Sequence, residues 1–199
     1  MVVATLQTAI LNIFSAMNSK TSGGDKYCAD ELASAISDFI STGVVTSLDD
    51  MGVIGSNSYK GAGSGSMAIN ESSLAEKLLA TFTKDNTTDT EIAENIASNI
   101  NDVCSVANTV STTTVGMQTT PSGVSTPYTG SGKGTFTGTS SIISEALKTA
   151  FTSMSTLTSG GNEVFAAALA TSINLYLIGG SISITLQSPI VGTATGKIA

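Results

Sequence analysis

Histidine, arginine and tryptophan are absent from this chain of 199 residues, which also has only two cysteines and three prolines. Without histidine, the chain lacks the commonest general base and the commonest metal ligand, and no Cys-His pair can form. Without arginine, it has no planar group for bidentate binding of phosphate or carboxylate. Catalytic and metal-dependent chemistry is therefore hard to build from the residues that remain. We predict a protein that is not an enzyme and that holds no cofactor and no metal.

Charged residues are also scarce, at 12% of the chain, and acidic side chains outnumber lysines to give a net charge of −7. An acidic surface without basic clusters repels DNA, RNA and anionic lipid, so we expect no nucleic acid and no membrane among the partners. The first twenty residues are apolar, but Thr5, Gln7, Thr8 and Asn12 interrupt them and no positive charge precedes Lys20. This segment falls short of a membrane span, and it predicts part of the folded protein rather than a signal peptide.

Three segments of the chain resemble one another. The segment "MNSKTSGGDKYCADELASAIS" from Met17 matches "MSTLTSGGNEVFAAALATSIN" from Met154 in its glycine pair and in its later Ala, Leu-Ala and Ile positions. A third copy, "DTEIAENIASNIN" from Asp89, aligns with "DKYCADELASAIS" from Asp25. Self-similarity of this kind predicts repeated structural units. We therefore predict three tandem repeats, at 1–69, 70–139 and 140–199, that form one cooperative unit.

Each copy predicts a pair of helices. Apolar residues at steps of three and four mark one face of an amphipathic helix, and a similar run precedes it in every copy. Asp25, Asp89 and Asn162 open the second helix and are predicted as its N-caps. Gly23-Gly24 and Gly160-Gly161 suit the preceding turn, whereas the middle copy has the shorter "TKDNTTD".

After each helix pair, the sequence predicts strands. The segments "GVVTSL" from Gly43, "VANTVSTTTV" from Val106 and "GGSISITL" from Gly179 are rich in β-branched residues. Every copy then ends in an alternating glycine tract: "YKGAGSGSM" from Tyr59, "YTGSGKGTF" from Tyr128 and "IVGTATGKI" from Ile190. A period of two places the glycines on one face of an extended strand, where another element can approach closely. A flexible linker between repeats is the alternative interpretation. The predicted fold class is thus α+β.

Within the second glycine tract, "GSGKGT" at 130–135 resembles a phosphate-binding loop. The full motif requires a glycine where Pro127 stands, and it requires the next helix to begin at once. Lys133 also aligns with Ser64 and Thr195 in the other copies. The glycine-strand interpretation is therefore favoured over a nucleotide site.

Cysteines and carboxylates supply the remaining candidate sites. Cys28 and Cys104 align with apolar residues of the other copies, which predicts buried core thiols. Asp49 and Asp50 are predicted in a loop before the first glycine tract, where they could bind calcium, although "LDDMGVIG" lacks the spacing of an EF-hand. Asp30 aligns with Glu94 but with Ala167 in the third copy, as expected for the solvated face of a helix.

The third copy differs from the others because its second helix, "NEVFAAALATSINLYLIGG", is apolar nearly all round. A helix without a polar face is expected to be buried on all sides, either by the other copies or by another subunit. Two arrangements of three copies remain open: a short solenoid, or closure around a pseudo-threefold axis.

In its composition and style of repeat, the whole chain resembles small virion structural proteins of tailed bacteriophages, such as capsid decoration, neck, tail and baseplate proteins. The resemblance implies a non-enzymatic component of the virion, made in the host cytoplasm, that self-associates and docks on capsid or tail subunits. It transfers no site residues.

The candidate partner contacts come instead from the glycine strands and from the apolar third helix pair. The alternative function is an extracellular or cell-surface adhesin that displays Ser/Thr-rich loops, with Tyr59 and Tyr128 stacking on sugar. An anchoring role for these tyrosines is favoured because the third copy has Ile190 there. The predicted contact residues are Tyr59, Gly61, Gly63, Gly65, Tyr128, Gly130, Gly132, Gly134, Ile190, Gly192, Gly196, Val164, Phe165, Tyr176 and Leu177.

Overall fold

The computed structural model describes residues 1–17 and 19–199, apart from the side chains of Asp50 and Met51. In this part of the chain, two helices are followed by two strands, and this order occurs three times. The predicted α+β class is confirmed. The elements are α1 (Val3–Met17), α2 (Gly24–Ser41), β1 (Val45–Ile54), β2 (Asn57–Met67), α3 (Glu71–Phe82), α4 (Asp89–Cys104), β3 (Val110–Thr119), β4 (Ser125–Thr137), α5 (Ser141–Met154), α6 (Gly161–Gly179), β5 (Ser181–Leu186) and β6 (Thr193–Ile198).

The chain forms two compact units, and each unit is built from three separate segments. All six helices of the described chain belong to the helical unit, and the strands belong to the barrel unit. Each of the predicted ranges 1–69, 70–139 and 140–199 supplies one helix pair and one strand pair. The helical unit comprises Met1–Ile40, Ile69–Val103 and Thr139–Gly179, and the barrel unit comprises Ser41–Ala68, Cys104–Gly138 and Gly180–Ala199.

The strands form a closed antiparallel barrel in chain order, in which β6 pairs with β1. In each β-hairpin, an apolar residue of the first strand lies opposite a glycine of the second: Val45 opposite Gly65, Val110 opposite Gly134 and Ile182 opposite Gly196. The three glycine tracts therefore lie in β2, β4 and β6, with paired strands on both sides. The linker interpretation of these tracts is wrong.

The inward positions of these strands carry glycine because the interior of the barrel has little room for side chains. A barrel of eight strands is just wide enough for its side chains, and one of six strands is narrower. A Cβ added to Gly134 would lie 3.0 Å from side-chain atoms of Ile182 and Ile184 and from the carbonyl oxygen of Ser183. Each hairpin thus combines one strand that carries inward side chains with one that leaves space for them.

A larger inward side chain precedes the glycines in β2 and in β4, and Ile190 holds the same relative position in the third hairpin. Tyr59 and Ile190 are fully buried, and the ring of Tyr59 meets that of Tyr128 edge to face at 6.2 Å. Beyond the glycines at the other ends of these strands, Met67, Phe136 and Ile198 are also buried. These side chains fill the two ends of the barrel interior.

Strand β1 is longer than the sequence predicted. Asp49 lies within it, fully buried, rather than in a loop. The register of β1 against β2 shifts between Asp49 and Gly52, which marks a β-bulge. The bulge explains why the strand was not recognised beyond Asp49, because an extra residue in β1 interrupts the alternation by which a strand is predicted.

In the helical unit, α6 packs against α1 and α5. The hydroxyl of Tyr176 on α6 also donates a hydrogen bond to Asn101 Oδ1 on α4, at 3.0 Å. Contacts with all three predicted copies thus bury most of α6 within one chain. The other copies alone do not bury α6 on all sides, because Leu175 is 48% exposed and Ile178 is 42% exposed, and cover by another subunit stays a prediction.

Helices α2 and α6 begin one residue before their predicted caps, and α4 begins directly at its predicted cap. Asp25 and Asn162 lie inside the first turns of α2 and α6, and Asp89 is the first residue of α4. The cap of α4 is Thr88, whose backbone N–H donates to Glu91 Oε2 while its Oγ1 accepts from the Glu91 N–H. This reciprocal pair is a capping box, so the predicted N-caps are wrong by one or two positions.

Candidate binding site in the helical unit

A cavity of about 580 Å³ lies in the helical unit, and we call it the helical pocket. All six helices contribute to its lining, together with residues 84–87 of the turn between α3 and α4. Its apolar wall residues come from corresponding places in the three helix pairs. They are Phe14, Phe82 and Phe151 from the first helices, and Cys28, Ile92 and Phe165 from the second helices.

Burial changes from the bottom of the helical pocket to its mouth. Leu32 and Ile96 at its base are fully buried. Phe14 and Phe151 are half-buried, and both contact the ring of Phe165, at centroid distances of 5.4 and 5.7 Å. The helical pocket therefore has an apolar, aromatic interior that opens to solvent.

The rim of the helical pocket is polar. Asp25, Lys84, Asp85, Asn86 and Asn162 line it, and all five are exposed. Asn86 has a positive φ of 55°, which asparagine tolerates better than most residues, and this allows the short turn between α3 and α4. The arrangement of an apolar body and a few polar rim groups is typical of binding pockets of this size.

Cys28 is the one thiol among the described lining residues of the helical pocket, and it is buried. Burial raises its pKa to about 11, and the negative charge of Asp25 adds to the increase. Because the thiolate is the reactive form, Cys28 is a poor nucleophile at neutral pH. Neither cysteine forms a disulfide in the described part of the chain and both are buried, so the prediction of core thiols is confirmed.

The described part of the chain holds no cluster of three or more His, Cys, Asp or Glu side chains that could bind a metal ion. The rim carboxylates of the helical pocket have no histidine or arginine to work with, since the chain contains neither. The helical pocket is therefore suited to bind an apolar group, with polar side chains at its rim.

The sequence did not identify the helical pocket. Its wall residues were recognised only as the apolar faces of amphipathic helices, which a sealed core would equally explain. One signal was present in the aligned segments, where Cys28 stands at the position of Ile92 and Phe165. A small side chain at that position leaves space that the larger ones fill.

The predicted contact residues of the glycine strands all lie in the barrel unit. Gly63, Gly132, Gly134 and Gly196 are buried on its inner face, and Gly61, Gly65, Gly130 and Gly192 are partly covered. Because the strands that carry them pair on both sides within the described barrel, a partner strand has no edge to join there. Contact of these residues with a partner stays a prediction.

The segment "GSGKGT" lies inside strand β4, which continues to Thr137 before α5 begins at Ser141. Lys133 points outward, and its Nζ donates a hydrogen bond to Ser111 Oγ at 2.6 Å. A phosphate loop wraps its backbone N–H groups around the ligand, whereas these residues are committed to strand pairing. The geometry favours the glycine-strand interpretation.

The predicted contact residues of α6 are divided between the helical pocket and the core. Phe165 lines the helical pocket, and Tyr176 and Leu177 are fully buried in the helical unit. Val164 is half-buried. Tyr59 is fully buried in the barrel unit, so its predicted role as a strand anchor is confirmed and it is not available to stack on a sugar.

A second group of polar residues, of which the sequence had singled out only Asp49, lies inside the barrel. Ser47 and Asp49 of β1 and Thr112 and Thr114 of β3 are buried. Ser47 Oγ donates to Asp49 Oδ1 at 2.9 Å, and Tyr59 Oη lies 3.0 Å from Thr114 Oγ1. The side chain of Asp50, which was considered with Asp49 as an ion ligand, lies outside the described residues.

Comparison with known proteins found no matching family model, no similar curated protein and no similar solved structure. Among the described helices, none combines the length and the hydropathy needed to cross a membrane.

Proposed function

We propose that this protein is a non-enzymatic structural protein, a component of a bacteriophage virion that docks on capsid or tail subunits. We propose further that the helical pocket receives an apolar side chain or chain end of the partner. The observation that carries the proposal is the helical pocket itself, with its aromatic wall around Phe165 and its polar rim. Anchor side chains that fill such pockets supply much of the binding energy of protein interfaces.

Charge defines the chemistry of the partner. The helical unit carries five lysines and thirteen acidic side chains, a net charge of −8, whereas the barrel unit carries three lysines and two aspartates. A partner segment with basic residues around its apolar anchor would complement the helical unit and associate faster at low salt. An acidic partner would be repelled.

We infer that the chain consists of three tandem repeats, and that the barrel has a pseudo-threefold arrangement. The register supports this inference, because corresponding apolar and glycine positions face each other in all three hairpins. The pairs between hairpins agree as well: Gly65 lies opposite Thr112, Gly134 opposite Ile184 and Gly196 opposite Ser47. A pseudo-threefold component would match a site where three capsid subunits meet.

The proposal is tested by filling the helical pocket. Cys28→Phe introduces the residue that stands at the corresponding position as Phe165, so we expect the fold to be retained and the entry of a partner side chain to be blocked. Thr171→Phe adds the same ring at an exposed position of α6 that does not line the helical pocket, and it serves as the control.

Quantitative mass spectrometry of purified particles is the measurement. We expect the particles to contain the wild-type chain and Thr171→Phe. The amount of Cys28→Phe in the particles should be at least tenfold lower, although its circular dichroism spectrum is unchanged. A tenfold loss corresponds to about 1.4 kcal/mol of binding free energy. Absence of the wild-type chain from particles contradicts the virion assignment. Normal incorporation of Cys28→Phe contradicts the role of the helical pocket.

The solution mass tests self-association and nucleotide binding together. Light scattering over a range of concentrations should show the same mass with and without ATP and magnesium. A change on adding nucleotide that Lys133→Ala abolishes would instead support a nucleotide site at β4.

A receptor-binding module is the second candidate function. The turns between β1 and β2 and between β3 and β4 are exposed, and Val124 in the second turn is 59% exposed. Replacing Ser122 to Val124 by a glycine linker would abolish attachment to cells under this alternative, whereas Cys28→Phe would have no effect on it.

A further inference from the structure

The interior of the barrel holds a carboxylate oxygen without a partner. Asp49 is fully buried, and its Oδ1 accepts a hydrogen bond from Ser47 Oγ. Its Oδ2 has no hydrogen-bond partner among the described residues, and neither has the buried Thr112 Oγ1. A buried polar group without a partner is costly, and a buried charge without a partner is more so.

Each of these two oxygens lies beside a glycine on the inner face of the barrel. Ser47 and Thr112 hold corresponding positions in the first and second hairpins, opposite Gly63 and Gly132. A Cβ added to Gly63 would collide with Ser47 Oγ and lie 3.2 Å from Asp49 Oδ2. A Cβ added to Gly132 would lie 2.8 Å from Thr112 Oγ1. The absence of side chains at the two glycines therefore leaves room for a polar cluster inside the barrel.

No side chain of the described barrel unit supplies a positive charge to Asp49. The chain has no arginine and no histidine. The lysines of the barrel unit, Lys60, Lys133 and Lys197, all occupy exposed outward positions. The described side chains of the barrel unit therefore offer Asp49 no countercharge.

We propose that the barrel encloses one monovalent metal cation, with Asp49 Oδ2 and Thr112 Oγ1 as its principal ligands. The oxygens of Ser47 and Thr114, one on each side of Gly63 in the sheet, complete the set. Carboxylate and hydroxyl oxygens suit hard cations. One carboxylate balances a single charge, whereas calcium is bound by six to eight oxygens, often from several carboxylates.

The third hairpin contributes no oxygen ligand, so the proposed cation site is formed by the first and second hairpins. At the positions that correspond to Thr112 and Asp49, it carries Ile184 and Leu186, both buried. These apolar residues shield the cluster from water without adding oxygens. Leu186 also shows that the barrel accepts leucine at the position of Asp49 without an ion. Asp49→Leu is therefore a suitable variant.

The experiment uses the full chain and counts bound metal. Wild type, Asp49→Asn and Asp49→Leu are unfolded in urea and refolded at equal ionic strength in the chloride of sodium, potassium or N-methylglucamine. They are then desalted and analysed for metal by mass spectrometry, and thermal unfolding is recorded in each salt. Glu31→Gln, which removes an exposed carboxylate from the helical unit, is the matched control.

We expect about one sodium or potassium ion per wild-type chain and per Glu31→Gln chain, and none in the two Asp49 variants. A ligand that binds only the folded state raises the melting temperature, so wild type should melt a few degrees higher in the bound cation than in N-methylglucamine. The Asp49 variants should melt at the same temperature in every salt.

Equal melting temperatures of wild type in all salts, with no metal retained, would overturn the proposal. The carboxyl group would then be neutralised by a proton or satisfied by trapped water. If neither Asp49 variant folds, Thr112→Val supplies the test, because it removes one ligand oxygen and should reduce metal retention. The proposal does not depend on the proposed function, since the virion assignment is tested through Cys28.

Discussion

At the scale of single residues, short contact distances explain why inward positions of the barrel carry glycine. Gly65 is the clearest case, because an added Cβ would meet backbone atoms: it would lie 2.7 Å from Thr112 Cα and would collide with the carbonyl oxygen of Ser111. We expect Gly65→Ala to lower the free energy of unfolding by about 2 to 3 kcal/mol, in the range of overpacked sites. Urea unfolding followed by circular dichroism measures it.

Gly179→Ala is the control for this prediction. Gly179 ends helix α6, and a Cβ added there would meet nothing within 4 Å. Alanine at such a site should leave stability unchanged or raise it by up to about 1 kcal/mol. If both variants lost the same free energy of unfolding, the contact distances inside the barrel would not be the cause of the loss in Gly65→Ala.

Cys28 gives a prediction for the dependence of stability on pH. Burial raises its pKa in the folded protein from an ordinary value of 9.0 to about 11. The folded state therefore holds the proton more tightly, and the stabilisation is complete below pH 9 and lost as the pH rises towards 11. Cys28→Val should lack this loss, so the difference in free energy of unfolding between wild type and variant should shrink from pH 8 to pH 10.5. A constant difference would contradict the raised pKa.

At the scale of elements, the capping box of α4 can be tested separately from the helix itself. Thr88→Ala removes the bond to the Glu91 N–H, and we expect a loss of about 1 kcal/mol in the free energy of unfolding. Thr90→Ala changes an exposed threonine in the first turn of α4 and should cost much less. An equal cost for both would place the effect in helix propensity rather than in the cap.

The same capping box depends on pH. The hydrogen bonds that Glu91 accepts from the backbone N–H and the side chain of Thr88 lower its pKa. A carboxylate with a lowered pKa stabilises the folded state at neutral pH and ceases to do so as the pH falls through that pKa. The cost of Thr88→Ala should therefore shrink in acid.

Elements were the part of the fold that the sequence predicted best. The spacing of Leu6 and Ile10 in α1, and of Leu74 and Leu78 in α3, is a local signal that depends only on helical geometry. The β-branched runs and the glycine tracts were likewise identified as strands at the right places.

Pairing and the candidate sites were not predictable in this way. The closure of β6 on β1 depends on residues about 150 positions apart in the chain, and no local pattern in either strand specifies its partner. Asp49 was assigned to a loop because a buried carboxylate contradicts the apolar alternation expected of a strand. The helical pocket was missed because its opening depends on where the six helices end relative to one another. The sequence predicts only which face of each helix is apolar.

At the scale of the whole molecule, the chain alternates between the two compact units five times. Any contiguous piece of the chain that contains one complete unit therefore also contains two segments of the other unit. We expect the fragment 70–139 to be unfolded as a monomer, since its β-hairpin would have two unpaired edges and α4 would lack its contacts with α5 and α6.

Circular dichroism and light scattering of the fragment check this expectation together. If the pseudo-threefold arrangement is correct, any folded form of the fragment should be a trimer, in which three copies close one barrel. A folded monomer would contradict the interdependence of the three segments. The full chain is the control, and it should unfold in one transition at all concentrations.

Closure of the barrel by β6 also has a consequence for synthesis on the ribosome. Strand β1 is complete long before β6 exists, and at 5 to 20 residues per second the delay is roughly 10 to 30 seconds. During that time one edge of β1 is open and can pair with a strand of another nascent chain. The outward residues of β1 include Leu48, which is 68% exposed even in the finished protein. Pairing between neighbouring nascent chains on one messenger is therefore a route to misfolding that ends once the barrel has closed.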